Sequence, residues 1–195
     1  HSRHCLVGGN SGRGEASIFS LINITVHTKF MLHMQHDNTF IPAGASKFTP
    51  CLDILKKNEL LSGFKDDEIL AILPCVEGSI KHYKNGASVI LAGEKVLRLG
   101  IVLSGTLNIV EYDIDGNINL TGKALPADIF GEAFMISGRP SAVSVYADGD
   151  SSVLFTSYNK IISACSSACP FHTLLIGNLV RILATKLLNV RSKLE

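Results

Sequence analysis

Residues 98–123, RLGIVLSGTLNIVEYDIDGNINLTGK, decide the fold. They divide into three short runs, RLGIVLSG, TLNIVEYD and NINLTGK, each rich in β-branched residues and tending to alternate apolar with polar positions. The dipeptides Ser104-Gly105 and Asp115-Gly116 stand between them as turn signals, so the stretch predicts strands joined by tight reversals. The same pattern extends both ways. SIKHYK (79–84) and SVILA (88–92) precede it, with turn signals at Asn85-Gly86 and Gly93-Glu94, and AVSVYADG (142–149) and SVLFTSY (152–158) follow. Short strands at this even spacing predict a small antiparallel barrel or jelly roll.

Helical periods flank the strands. CLDILKKNELLSGF (51–64) and KDDEILAILPCV (65–76) place apolar residues three and four apart, with Asp66 and Asp67 available to cap the second helix. After Tyr158, YNKIISACSSAC reads as one short helix and Pro170 opens another. In that last helix Ile176, Val180, Leu183, Leu187, Val190 and Leu194 recur at steps of four and three, a heptad seam that predicts pairing with a second helix. The competing reading packs this helix on its own barrel. Residues 1–49 show no sustained period and read as a leader, disordered or non-native, with Met31 or Met34 as a natural start. The expected organisation is therefore a leader at 1–49, a barrel with short flanking helices at 50–169 and a dimerisation helix at 170–195.

The chain has 195 residues, 46% of them hydrophobic, enough to bury a core. A formal net charge of +1 provides no general field toward nucleic acid or a membrane surface. The longest apolar run is far short of the ~20 residues a bilayer span needs, so no membrane segment is expected. Five scattered cysteines, Cys5, Cys51, Cys75, Cys165 and Cys169, without a secretory signal, indicate reduced thiols and a cytoplasmic protein. The last residues read as the middle of a helix, so the sequence is expected to be a fragment.

Two short helices, a seven- or eight-strand barrel interrupted by Gly-Glu and a short helix, and then a long heptad helix form an order that resembles the effector domain of the Crp/Fnr family of bacterial transcription regulators. GIVLSGTLNIV (100–110), DIDGN (113–117), DIFGE (128–132) and AVSVYA (142–147) carry the resemblance, which runs from about Cys51 to Glu195 and is greatest to clostridial members. It implies a double-stranded β-helix sensor barrel, mainly β with flanking helices, that binds a small effector. It also implies a homodimer formed through Ile176, Val180, Leu183, Leu187 and Val190. In such proteins a winged helix-turn-helix follows and reads DNA, and this sequence stops before it.

In cyclic-nucleotide-binding relatives, a glycine–glutamate pair opens a phosphate-binding cassette. The glutamate takes the ribose hydroxyl, and a helix N-terminus with an arginine holds the cyclic phosphate. Gly131 and Glu132 match the opening. With AVSVYA as the anchor, the arginine position falls on Ser141, followed by Ala142, with Arg139 two residues upstream beside Pro140. Ligand contacts are therefore expected at Gly131, Glu132, Ala133, Arg139, Ser141 and Ala142. A serine supplies no charge, and losing a charge-assisted hydrogen bond costs roughly 1.5–3 kcal/mol, about one to two decades of affinity. The expected effector is thus a small molecule other than cyclic AMP, such as a different small acid or an aromatic compound, with an empty pocket as the remaining alternative. The plainer alternatives are an exposed turn arginine at Arg139, and at Glu132 an acid that complements the helix dipole.

Other sensing chemistries find little support. An iron–sulfur sensor needs several N-terminal cysteines, whereas Cys5 stands apart from Cys51 and Cys75; a haem sensor would draw on Cys75 or His82. Cys165 and Cys169, one helical turn apart, lack the second pair of a zinc site; no metal site is assigned, and the residues identify no cofactor beyond the unknown small-molecule effector. A metal-dependent cupin enzyme needs a close His-x-His, and the strand segments carry His82 alone. The leading function is the allosteric sensor and dimerisation domain of a DNA-binding regulator, not an enzyme. A stand-alone cyclic-nucleotide-binding module is the alternative.

Overall fold

The computed structural model describes residues 44–163 and 170–191. Its strands are β1 (Ser79–Tyr83), β2 (Ser88–Ile90), β3 (Arg98–Tyr112), β4 (Ile118–Ala124), β5 (Ile129–Phe130) and β6 (Ser144–Ser157). They form one antiparallel sheet in the order β1-β6-β3-β4, with β2 pairing β6 and β5 pairing β3. The long pair β3 and β6 is its spine, running from Arg98 opposite Ser157 to Val110 opposite Ser144. This is the expected jelly-roll class with flanking helices.

The strands are fewer and longer than expected because two predicted breaks are bulges. Ser104-Gly105 lies inside β3, where the pairing with β6 shifts register between Val102 and Thr106. Gly105 takes φ +80°, and a Cβ there would run into the Ser151 side chain and lie 2.7 Å from the Asp150 carbonyl. A strand that must bend around a barrel corner can do so by a glycine bulge, which kinks it while the flanking residues keep their ladder partners. In the same way AVSVYADG and SVLFTSY fuse into β6. Asp115-Gly116 does close the β3–β4 hairpin, through Gly116 N–H donating to Asp113 O at 3.0 Å and Asp113 N–H to Asn117 O at 3.1 Å.

The first expected helix is also divided. It becomes a 3-10 turn at Ser46–Cys51, a single turn α1 (Leu52–Leu55) and a second 3-10 turn at Glu59–Leu61. Asn58 interrupts it by adopting an extended conformation while its side-chain oxygen accepts from Leu60 N–H at 3.0 Å, a local bond that competes with helix continuation. Its amide also donates to Ala127 O at 2.5 Å, tying these turns to the loop before β5. The second helix, α2 (Asp66–Cys75), forms as predicted, but Lys65 occupies the cap position expected for an aspartate. Lys65 N–H donates to Glu68 Oε2 at 2.8 Å, and Asp66, Asp67 and Glu68 fill the first turn, where the dipole favours acids.

Three further helices follow, α3 (Glu132–Ser137), α4 (Tyr158–Ser163) and α5 (Pro170–Arg191). The core joins Leu99, Ile101, Leu107, Val153 and Leu154 of the sheet to Leu55, Leu60, Ile69 and Leu73 of the N-terminal turns and α2. It begins earlier than residue 50, because Ala45 and Phe48 are fully buried in it. Cys5, Met31, Met34, Cys165 and Cys169 lie outside the described residues.

Helix α5 shows two faces. Leu175, Leu179 and Ile182 are buried against the domain, each burial contributing roughly 1.5–3 kcal/mol. Buried Asn178 donates to Leu60 O at 3.0 Å and to Ser62 O at 2.8 Å. The heptad positions run along another face: Ile176 and Leu183 are half-buried, whereas Val180 is 59% and Leu187 71% exposed. The Val190 side chain and Leu194 are outside those described. Contrary to the expectation of no candidate span, Phe171–Asn189 is long and apolar enough to cross a membrane by length and composition, with a mean hydropathy of 1.3. Only 22% of that window is buried inside the domain.

Candidate functional site

The chain enters the predicted cassette through a tight turn. Val102 N–H donates to Asp128 O at 3.0 Å, Ala127 N–H returns to Val102 O at 2.9 Å, and Leu125 N–H donates to Asp128 Oδ2 at 2.8 Å. Strand β5 then delivers Gly131 at φ +83°, the left-handed N-cap of α3. A Cβ there would lie 3.3 Å from Val96 Cγ1 and 3.4 Å from Arg98 O, so a glycine serves both the backbone angle and the close packing.

Glu132 follows as the first residue of α3 and is only 5% exposed. Its carboxylate accepts from Lys186 Nζ of α5 at 2.6 Å, and the same ammonium donates to Ile129 O at 3.0 Å. A buried carboxylate requires such a partner, since an isolated buried charge is strongly disfavoured. Lys186 was not among the predicted site residues. In the sequence it is one of several basic residues of α5, beside Arg181 and Arg191, and its partner lies 54 positions away.

The remaining cassette residues occupy different environments. Ala133, Arg139 and Ala142 are exposed. Ser141 is 3% exposed, and its hydroxyl donates to Val143 O at 2.7 Å within a local turn. Its backbone fastens the cassette to the loop after β2: Ser141 N–H donates to Glu94 O and Gly93 N–H to Ser141 O, both at 2.8 Å. Ser144 Oγ accepts from Ala92 N–H at 2.9 Å alongside them. Helix α3 has six residues, so its macrodipole is short.

Two cavities adjoin these elements. The larger, about 380 Å³, lies between the N-terminal turns, β3, β4 and α5; Ile109, Ala124, Ile129 and Ile182 line it together with Lys57, Lys123 and Lys186. The smaller, about 230 Å³, is an open cleft lined by Lys81, Lys95, Arg98, Tyr83 and Phe155 among others. Burial pushes the Tyr83 hydroxyl above its ordinary pKa, with the Arg98 guanidinium opposing. Neither Arg139 nor Ser141 lines either cavity. His82 Nδ1 and Ser152 Oγ share a hydrogen bond of 2.8 Å, Cys75 Sγ donates to Ala71 O at 3.5 Å, and burial pushes the Cys51 thiol up. Among the described residues no group of three His, Cys, Asp or Glu is placed to hold a metal ion.

Solved structures share this architecture. The Thermus thermophilus catabolite activator protein superposes with a TM-score of 0.62 at 20% identity, covering 70% of this chain and 62% of that one. A cyclic nucleotide-binding domain from Methylobacillus flagellatus gives 0.64 at 17% identity over 76% of this chain and 83% of that one. The regulatory subunit of a cAMP-independent protein kinase A from Trypanosoma cruzi, bound to guanosine, gives 0.55 at 17% identity over 72% and 46%. No curated protein matches the chain. Residues 80–168 match the family model of the cyclic nucleotide-binding domain, and the antiparallel fold is similar to that of the Thermus thermophilus catabolite activator protein.

Proposed function

We propose that this chain is the effector-sensing and dimerisation domain of a Crp/Fnr-type DNA-binding transcription regulator, controlled by a small ligand other than cyclic AMP. DNA is read by a separate domain, and the organisation is a leader, the sensor barrel and a dimerisation helix. The observation that carries this reading is the cassette itself. A left-handed Gly131 presents a buried acid, Glu132, while the position expected for the anion-binding arginine holds Ser141, whose hydroxyl is already engaged with Val143 O. Glu132 retains the chemistry to accept ligand hydroxyls, but Ser141 supplies no guanidinium for a cyclic phosphate, and the cassette's one arginine, Arg139, is exposed. The guanosine named for the trypanosomal neighbour is a ligand of this kind, a diol without phosphate.

Calorimetry tests the ligand class. Cyclic AMP should bind more weakly than about 100 μM, and Ser141→Arg should improve it at least about tenfold, the low end for one charged hydrogen bond. Low-micromolar binding of cyclic AMP to the unaltered chain would refute the reading.

Dimerisation is proposed through Ile176, Val180, Leu183, Leu187 and Val190, supported by the exposure of Val180 and Leu187 on a helix otherwise anchored to its own barrel. Leu183→Asp with Leu187→Asp would set like charges opposite each other in an apolar seam and should yield monomers in sedimentation. A chain that is already monomeric at high micromolar concentration would overturn this interface. A stand-alone binding module is the second reading, favoured by the separate Methylobacillus domain, 83% of which this chain covers.

A further inference from the structure

Asn178 and Lys186, about two helical turns apart, are polar anchors of α5 on the domain. The first is Asn178, buried and bonded to Leu60 O and Ser62 O of the N-terminal turns. The second is Lys186, which reaches Glu132 and Ile129 O at the cassette. The last buried apolar residue described on α5 is Ile182, and residues 184–189 are exposed. Past Ile182, the Lys186 side chain is a tie between the helix and the barrel. The two partners differ in environment. Glu132 has a side chain 6% exposed, whereas that of Lys186 is 50% exposed. An ammonium in that position regains water readily when released, while the carboxylate must find another donor.

We propose that Lys186 is a tethered competitor for the cassette glutamate, so that a ligand gains Glu132 only by displacing Lys186 and thereby releases the last turns of α5. This rests on the reading of the cassette as a ligand site and deepens it. The ligand must supply donors to replace an ammonium at a buried carboxylate, and a neutral vicinal diol does so with two O–H groups directed at its two oxygens. Occupancy of the cassette is thereby coupled to the helix that bears the proposed dimer seam, with Glu132 shared between two mutually exclusive partners.

The test uses the full chain, Lys186→Met and Glu132→Gln, with thermal melts to establish that each variant folds, and guanosine and 2′-deoxyguanosine as probes. Without ligand, both substitutions should speed hydrogen exchange across residues 183–189 to a similar extent, and the double variant should exceed neither. Guanosine should produce the same acceleration in the unaltered chain. It should bind Lys186→Met at least about tenfold more tightly, the low end for removing a charge-assisted competitor, and 2′-deoxyguanosine should lose most of this gain. Unchanged exchange in both single variants would overturn the tether whatever the ligand does. Equal guanosine affinity in the unaltered chain and Lys186→Met would overturn the competition. Guanosine binding to neither, with exchange altered as expected, would overturn the cassette as a diol site and the competition with it, leaving the ion pair a structural tie.

Discussion

Phe48→Ala is expected to lower the free energy of unfolding by about 3–5 kcal/mol, the usual cost of deleting a buried aromatic side chain. Phe48 stands in the 3-10 turn Ser46–Cys51, fully buried, and its ring packs where a Cβ on Gly78 would come within 3.0 Å of Cζ. It thus fills space between the N-terminal turns and the start of β1, and no smaller side chain would close the gap. Urea unfolding measures the effect, with Lys47→Ala as the reference: Lys47 is exposed, lies 4.8 Å over the Phe48 ring and should cost less than about 1 kcal/mol. Equal losses for the two substitutions would show that the core starts after residue 50.

The second large effect concerns two glycines with nearly the same backbone angle. Gly105 has φ +80° and Gly149 has φ +86°, so alanine at either position carries a conformational cost of about 1–2 kcal/mol. Only Gly105 is crowded: an alanine Cβ there would stand 2.7 Å from the Asp150 carbonyl and nearer still to the Ser151 side chain, whereas nothing lies within 4 Å at Gly149. Gly105→Ala should therefore lose about 2–5 kcal/mol, strain and overpacking together, against about 1–2 kcal/mol for Gly149→Ala. Thermal unfolding of the pair decides it. Matching losses would mean that β6 moves away at no cost and that the bulge does not hold the barrel corner.

Much of this molecule is legible from local pattern. Short apolar runs between turn signals in 98–123 and its neighbours mark the strands, although burial does not alternate along them, residues 99–103 being buried in succession, and Asp115-Gly116 closes a hairpin because its geometry demands a positive φ. The helical period of 65–76 and of α5, and the Gly131-Glu132 pair at the start of a short helix, are signals of the same local kind.

Where a local signal had two physical outcomes, the tertiary structure selected between them. Ser104-Gly105 has the composition of a turn, yet β6 lies alongside and supplies ladder partners on both sides, so the glycine bends a strand instead of ending it. Asn58 looks like an ordinary helix residue, but its side chain has Leu60 N–H and Ala127 O within reach and breaks the helix to use them. Phe48 belongs to no periodic run, so its burial follows only from the surfaces assembled around it. The pairing of Glu132 with Lys186 is the furthest from local pattern. Neither residue signals the other across 54 positions, and the contact exists because Leu175, Leu179 and Ile182 dock α5 on the barrel and carry Lys186 to a carboxylate that burial leaves in need of a donor.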